Sequence, residues 1–161
     1  MKQEITVKAF FLSILLSIVL SSAMAYLGLY AGMTISASIP AAIMSMGILK
    51  LFRESNILEN NIVQTAASAG ESLAAGGVFT IPALLLIGYW DTIDYWEVTK
   101  IAMVGGILGA LFTVPLRRAL ILKANLKFPE GVATAAVLKT GHESDAKKSS
   151  ESLKIIGLSA V

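Results

Sequence analysis

The stretch AFFLSILLSIVLSSAMAYLGLYAGMTISASIPAAIMSMGIL, Ala9 to Leu49, runs for 41 residues without one Asp, Glu, Lys, Arg or His. A helix needs roughly 20 apolar residues to cross a hydrocarbon core of about 30 Å. The run is therefore long enough for two crossings if the chain turns near its middle. Working outward, Ile101 to Leu116 adds 16 uncharged residues, and Glu71 is the one charge among the 31 residues between Glu59 and Asp91. The chain of 161 residues is 15% charged, against about a quarter in soluble domains. The pattern predicts an all-α, polytopic transmembrane helix bundle whose immediate partner is the lipid bilayer.

Spans are expected over about 9–29, 35–49, 62–89 and 101–122. Gly28 and Gly32 interrupt the first run, so a turn falls near Ala31–Thr34. The second span is short and carries Pro40. Residues 62–89 would make a helix of about 42 Å at 1.5 Å per residue, too long for the hydrocarbon, so it must tilt, kink or break. Gly76-Gly77 and Pro82 are the obvious places, with a discontinuous helix and a packing kink both open there. Asn60 and Asn61 precede this helix and are read as its N-terminal caps. Residues 153–161, LKIIGLSAV, look like the opening of a further helix, so the 161 residues are expected to be the N-terminal part of a larger membrane protein.

The net charge of +2 does not point to nucleic acid, because the basic residues cluster at the ends of apolar runs, where membrane topology accounts for them. With no cysteine and one histidine, His142, neither a thiolate nor a histidine-cluster metal site can form, and no cofactor is expected. With the N-terminus cytoplasmic, Lys2, Lys8, Lys50, Arg53, Arg117, Arg118, Lys123 and Lys127 all fall inside. The acidic connection Trp90–Lys100 then lies outside, as do both tryptophans and all four tyrosines, which suits an interfacial aromatic belt.

Glu71 is the first candidate for chemistry. A carboxylate at mid-membrane is costly and usually faces a cavity or an ion path. Gln64, Ser68 and Glu71 are spaced i, i+4, i+7 and share one helical face. Apolar surroundings disfavour the charged carboxylate, which makes Glu71 a candidate proton acceptor near neutral pH. Gly70 belongs to a small-residue stripe with Ala66 and Ala74, suited to close helix approach. Unwound backbone at Gly76-Gly77 would offer carbonyls and helix ends to a substrate or ion. Phe128-Pro129-Glu130-Gly131, followed by a small apolar helix, suits a re-entrant hairpin; a surface helix is the competing reading. Irregular backbone at depth requires burial in protein or a cavity to line.

Three of these stretches carry a family resemblance. NIVQTAASAGESLAAG, Asn61 to Gly76, strongly resembles the hallmark segment of bacterial oligopeptide transporter (OPT) family proteins. KFPEGVATA, Lys127 to Ala135, is similar to a second signature, shared in looser form with the yellow stripe-like metal-chelate branch. GLYAGM, Gly28 to Met33, is similar to the exit of the family's first helix. In one respect the chain departs from the members compared: they often carry an acidic residue near Ala136, so no acid role is carried to that position.

The resemblance implies a secondary carrier of many helices that moves small peptides or metal–chelate complexes with protons as the coupling ion. The expectation is a multi-pass protein of the cytoplasmic membrane, not an enzyme, with Glu71, Gln64 and Ser68 as proton or transport candidates. Gly70, Gly76, Gly77, Phe128, Pro129, Glu130 and Gly131 are the substrate or backbone-site candidates. Association into a homo-oligomer stays open. The alternative class is a small four-helix structural or accessory membrane subunit. An intramembrane enzyme would need more than one ionisable residue in the apolar cores.

Overall fold

The computed structural model describes residues 5–51, 56–124 and 126–142; the further helix expected at 153–161 lies outside them. The described chain is helical: α1 (Val7–Ala31), α2 (Ser38–Leu51), α3 (Ile57–Leu86), α4 (Tyr95–Leu116) with a π-helical extension Arg117–Lys123, and α5 (Pro129–His142). α1, α3 and α4 with its extension are long and apolar enough to cross a membrane. The 14 residues of α2 make about 21 Å of helix, short of a full crossing.

α1 and α3 form the central pair. The buried residues of α1 (Ala9, Leu12, Ser13, Leu16, Leu20, Met24 and Gly28) recur every three to four positions and so make one stripe. Its outer face, including Phe10, Phe11, Leu15 and Ile18, is apolar and exposed, as a helix facing lipid requires. Ser13 and Ser22 donate their hydroxyls to the carbonyls of Ala9 and Ile18 at 2.7 Å, so neither takes an unsatisfied polar group into the apolar layer. The two helices run parallel. Gly70 meets Ser17 near their middle, and Gly28 meets Val78 further along. A Cβ on Gly70 would overlap Ser17 Oγ, with Ser21 Oγ at 3.1 Å and Ser17 Cβ at 3.2 Å behind it. Glycine is what permits this approach, in the manner of small-residue membrane interfaces.

α1 stops at Gly32, whose φ of 70° is left-handed and whose N–H donates to Gly28 O at 3.0 Å. Residues 33–37 are non-helical. Five such residues reach about 16 Å and carry the chain back down the bundle before α2 begins. α2 then runs antiparallel to α3: Ser38 Oγ lies 3.0 Å from Ser68 Oγ, and Ser45 Oγ donates to Asn60 Oδ1 at 3.3 Å. Ser68 stands 11 residues into α3, about 17 Å from its start. α2 is thus a half-helix whose N-terminus sits at mid-depth. Pro40 falls in its first turn, where the missing N–H needs no partner.

α5 is a second half-helix and runs beside α2 in the same direction. Ser36 donates to Glu130 at its start, and Met46 lies against Gly141 at its end; Ala42, Met46 and Leu138 form a small apolar cluster between them. Pro129 occupies the first helical position, where proline is well tolerated. The segment is packed against α2 and α3.

Two expectations need correcting. Gly76-Gly77 and Pro82 do not break the third helix, which runs unbroken from Ile57 to Leu86. Gly76 is exposed with open space around it, so unwinding there would leave backbone groups facing lipid without partners. Thr80 Oγ1 donates to Gly76 O at 2.9 Å instead. The interruption falls at residues 33–37, where protein groups are at hand. Asn60 and Asn61 are not caps either. The helix starts five residues earlier than expected, after Asn56, whose N–H donates to Glu59 Oε2 at 3.1 Å. At the other end of the bundle Asp94 caps α4, its Oδ1 accepting from Trp96 N at 2.7 Å and Glu97 N at 3.2 Å.

The α1–α3 contact yields a paired prediction. Gly70→Leu should lower the thermal midpoint of the detergent-extracted protein, by the equivalent of about 1–3 kcal/mol for an overpacked site. Gly76→Ala, which points into open space, should leave it unchanged or slightly raised. Equal effects from the two substitutions would remove the close approach as the cause.

Candidate functional site

The polar face of α3 and the two half-helix starts meet at mid-depth. α3 buries Glu59, Asn60, Gln64 and Glu71, an arrangement suited to a helix whose outward surface is lipid and whose inward surface is protein. Glu71 is 5% exposed. The backbone N–H of Ala37, the last residue before α2, faces its carboxylate, and the Glu130 carboxylate is near enough to interact with it through space. A carboxyl buried at this depth requires hydrogen bonds, a counter-charge or a proton. The Ala37 amide faces it, at the positive end of the α2 dipole.

The non-helical stretch before α2 is knitted to both neighbours. Ser36 Oγ donates to Glu130 Oε1 and accepts from Ser38 N at 3.3 Å, so the first amide of α2 is satisfied locally. Ser38 Oγ pairs with Ser68. Thr134 Oγ1 donates to the Glu130 carbonyl at 3.0 Å, one turn back on α5. A cavity of about 350 Å³ opens between α2, α3 and α5, with Ser38, Asn61, Gln64, Glu130, Gly131 and Thr134 among its walls.

The structure therefore brings Gln64, Ser68, Glu71, Glu130 and Gly131 together, although about 60 residues separate the two groups in sequence. Phe128 and Pro129 flank the start of α5; Phe128 is 43% exposed. Gly70 lies on the opposite side of α3, against α1. Gly76 is exposed, and Gly77 borders a separate, largely apolar groove of about 650 Å³ between α1, α3 and α4. Neither glycine reaches the polar cavity. Ser36, Ser38, Thr134 and the Ala37 amide were not singled out from sequence, and Asn61 was read as a cap. The signal for the first two was the run Ser36-Ala37-Ser38-Ile39-Pro40, whose hydroxyls and proline mark a helix start inside an apolar stretch.

Among the described residues no group of three or more His, Cys, Asp and Glu is placed to hold a metal ion.

Comparison with known proteins agrees with the architecture. A protein of Haemophilus influenzae named as an oligopeptide transporter is 50% identical over 110 residues, covering 68% of this chain and 17% of its own length. The metal-nicotianamine transporter YSL3 of Arabidopsis thaliana is 28% identical over 169 residues, covering 88% of this chain and 25% of its own. Arabidopsis YSL5, named as a metal-nicotianamine transporter, is 28% identical over 182 residues, 97% of this chain and 25% of its own. The chain thus spans a quarter or less of the length of these relatives. No solved structure matches it. Residues 4–161 match the family described as OPT oligopeptide transporter protein, and the chain belongs to that family.

Proposed function

We propose that the chain is the N-terminal part of a proton-coupled secondary transporter that carries small peptides or metal-chelate complexes across the cytoplasmic membrane. The relatives' names supply the two substrate classes. The observation that carries the coupling is Glu71, a buried carboxylate at mid-depth that faces the start of one half-helix and a second carboxylate on another. Discontinuous helices whose N-termini meet at the membrane midplane are a recurrent device of secondary transporters. Here Glu71 is the coupling residue; Ser68 and Ser38 hold the α2 start against it. This reading makes the chain a carrier and not an enzyme.

The orientation we assign puts the N-terminus in the cytoplasm. The structure gathers Tyr26, Tyr30, Tyr89, Tyr95 and Trp96 as exposed side chains at the end of the bundle where α1 and α3 finish and α4 begins. The basic residues Lys8, Lys50, Arg117 and Arg118 belong to the opposite ends of these helices, the side that stays inside.

In proteoliposomes of the full-length protein, Glu71→Gln should abolish uptake driven by a pH gradient while leaving substrate exchange at equal pH in place. Loss of both activities, or of neither, would remove Glu71 from coupling. A cysteine at Thr92, in a background otherwise free of cysteine, should react with an impermeant maleimide added outside intact cells. One at Lys50 should react only after the membrane is opened. The reverse pattern would invert the topology.

A further inference from the structure

Glu130 has surroundings quite different from those of Glu71. It sits in the first turn of α5, and its Oε1 accepts the hydroxyl of Ser36. No hydrogen bond from a described residue reaches Oε2, and no described ion pair offers it a counter-charge. It lines the cavity between α2, α3 and α5, whereas Glu71 is not among the residues lining it. Glu130 is an exposed carboxylate on this wall, and with no described basic residue paired to it, it is open to a cation from elsewhere.

Gln64 supplies an independent pointer. The residue is 9% exposed, and its one described contact is with the Thr65 hydroxyl, 3.4 Å from its Oε1. That hydroxyl has a single hydrogen, already committed to Asn61 O at 2.7 Å. The Gln64 side chain is thus nine-tenths buried as a whole, its NH₂ has no described acceptor, and it borders the same cavity as Glu130.

The cavity therefore presents one anionic acceptor, Glu130, among neutral polar groups that include the Gln64 and Asn61 amides. A bare divalent cation would seek several oxygen ligands, carboxylates above all, and this wall provides a single carboxylate. The complementary ligand carries a single positive charge with donor hydrogens, next to a carbonyl or carboxylate oxygen. A protonated primary amine at the end of an amino-acid-like molecule has that form. The volume of about 350 Å³ lies in the range of small-molecule sites.

We propose that this cavity receives the protonated terminal amino group of the carried substrate, with Glu130 as its counter-ion and the Gln64 amide donating to the adjacent carbonyl or carboxylate. The proposal rests on the transporter reading and deepens it, dividing the two carboxylates between coupling (Glu71) and recognition (Glu130).

The test uses full-length protein in proteoliposomes, with trialanine, N-acetyl-trialanine and nickel–nicotianamine as probes. Wild-type protein should take up trialanine or nickel–nicotianamine, and N-acetyl-trialanine should compete at least about tenfold more weakly than trialanine, the loss expected for one charge-assisted hydrogen bond. Glu130→Gln should raise the half-saturating concentration by about tenfold or more while pH-driven uptake at saturation persists; Gln64→Leu should raise it less. Uptake by wild type with equal competition from the acetylated peptide overturns the amine site and leaves the transporter reading standing. The amine site also falls if sodium-dependent uptake becomes sodium-independent in Glu130→Gln. Uptake of neither probe by wild type overturns the transporter reading and the amine site with it. The acetylation comparison needs no substitution, so a Glu130 variant that fails to insert does not blunt the test.

Discussion

Everything at the centre of this bundle depends on satisfying the backbone of residues 33–37 at a depth where water is scarce. A chain that leaves its helix inside a membrane exposes amides and carbonyls that hydrocarbon cannot pair. Here the first amide of α2 is taken by Ser36, and the Ala37 amide faces Glu71. Ser36 is itself tied to Glu130 on α5, and Ser38 to Ser68 on α3. Three elements distant in sequence are thus fastened at one point by groups that each need the others. The carboxylates that make the site chemically interesting also hold the interruption together.

The rest of the architecture serves that point. Parallel packing of α1 and α3 through Gly70 and Gly28 makes a rigid pair whose outward surface is apolar. α3 then turns its polar stripe, Glu59 through Glu71, toward the half-helices. Such a helix inverts the soluble pattern, with polar residues inward and apolar residues toward lipid. α2 and α5, each of 14 residues, begin at mid-depth and run together toward the basic end of the bundle. Their positive dipole ends converge on two carboxylates, a favourable pairing in a low dielectric. α4 and its π-helical extension have no buried residues, so their apolar surface contributes a wall to the groove beside α1 and α3 and little to the polar centre.

Glycine and proline show where a local rule needs its surroundings. Gly76-Gly77 and Pro82 looked like a break because both residue types weaken helices. In an exposed position within the apolar layer, however, the unsatisfied groups of an unwound turn would cost more than the helix loses to glycine. The helix therefore persists, with Thr80 back-bonding to Gly76. Gly32, at a φ of 70°, ends its helix because the following residues find partners in α3 and α5. The same residue type gives opposite outcomes, decided by what lies alongside.

Read by itself, the sequence determined the class of the protein and the faces of its helices. The 41 uncharged residues from Ala9 to Leu49 admit no soluble fold, and the i, i+4, i+7 spacing of Gln64, Ser68 and Glu71 placed them on one face because helical geometry is local. The turn at Gly32 and the helix after Pro129 were legible for the same reason. What the tertiary structure alone decided is which faces meet: that the serines before Pro40 lie at the level of Ser68, that Glu130 stands across from Glu71, and that the cavity opens between α2, α3 and α5. Those juxtapositions depend on the depth at which each helix starts. Depth is set by how far non-helical backbone can run before it finds hydrogen-bond partners, and no periodicity within one segment records where those partners are.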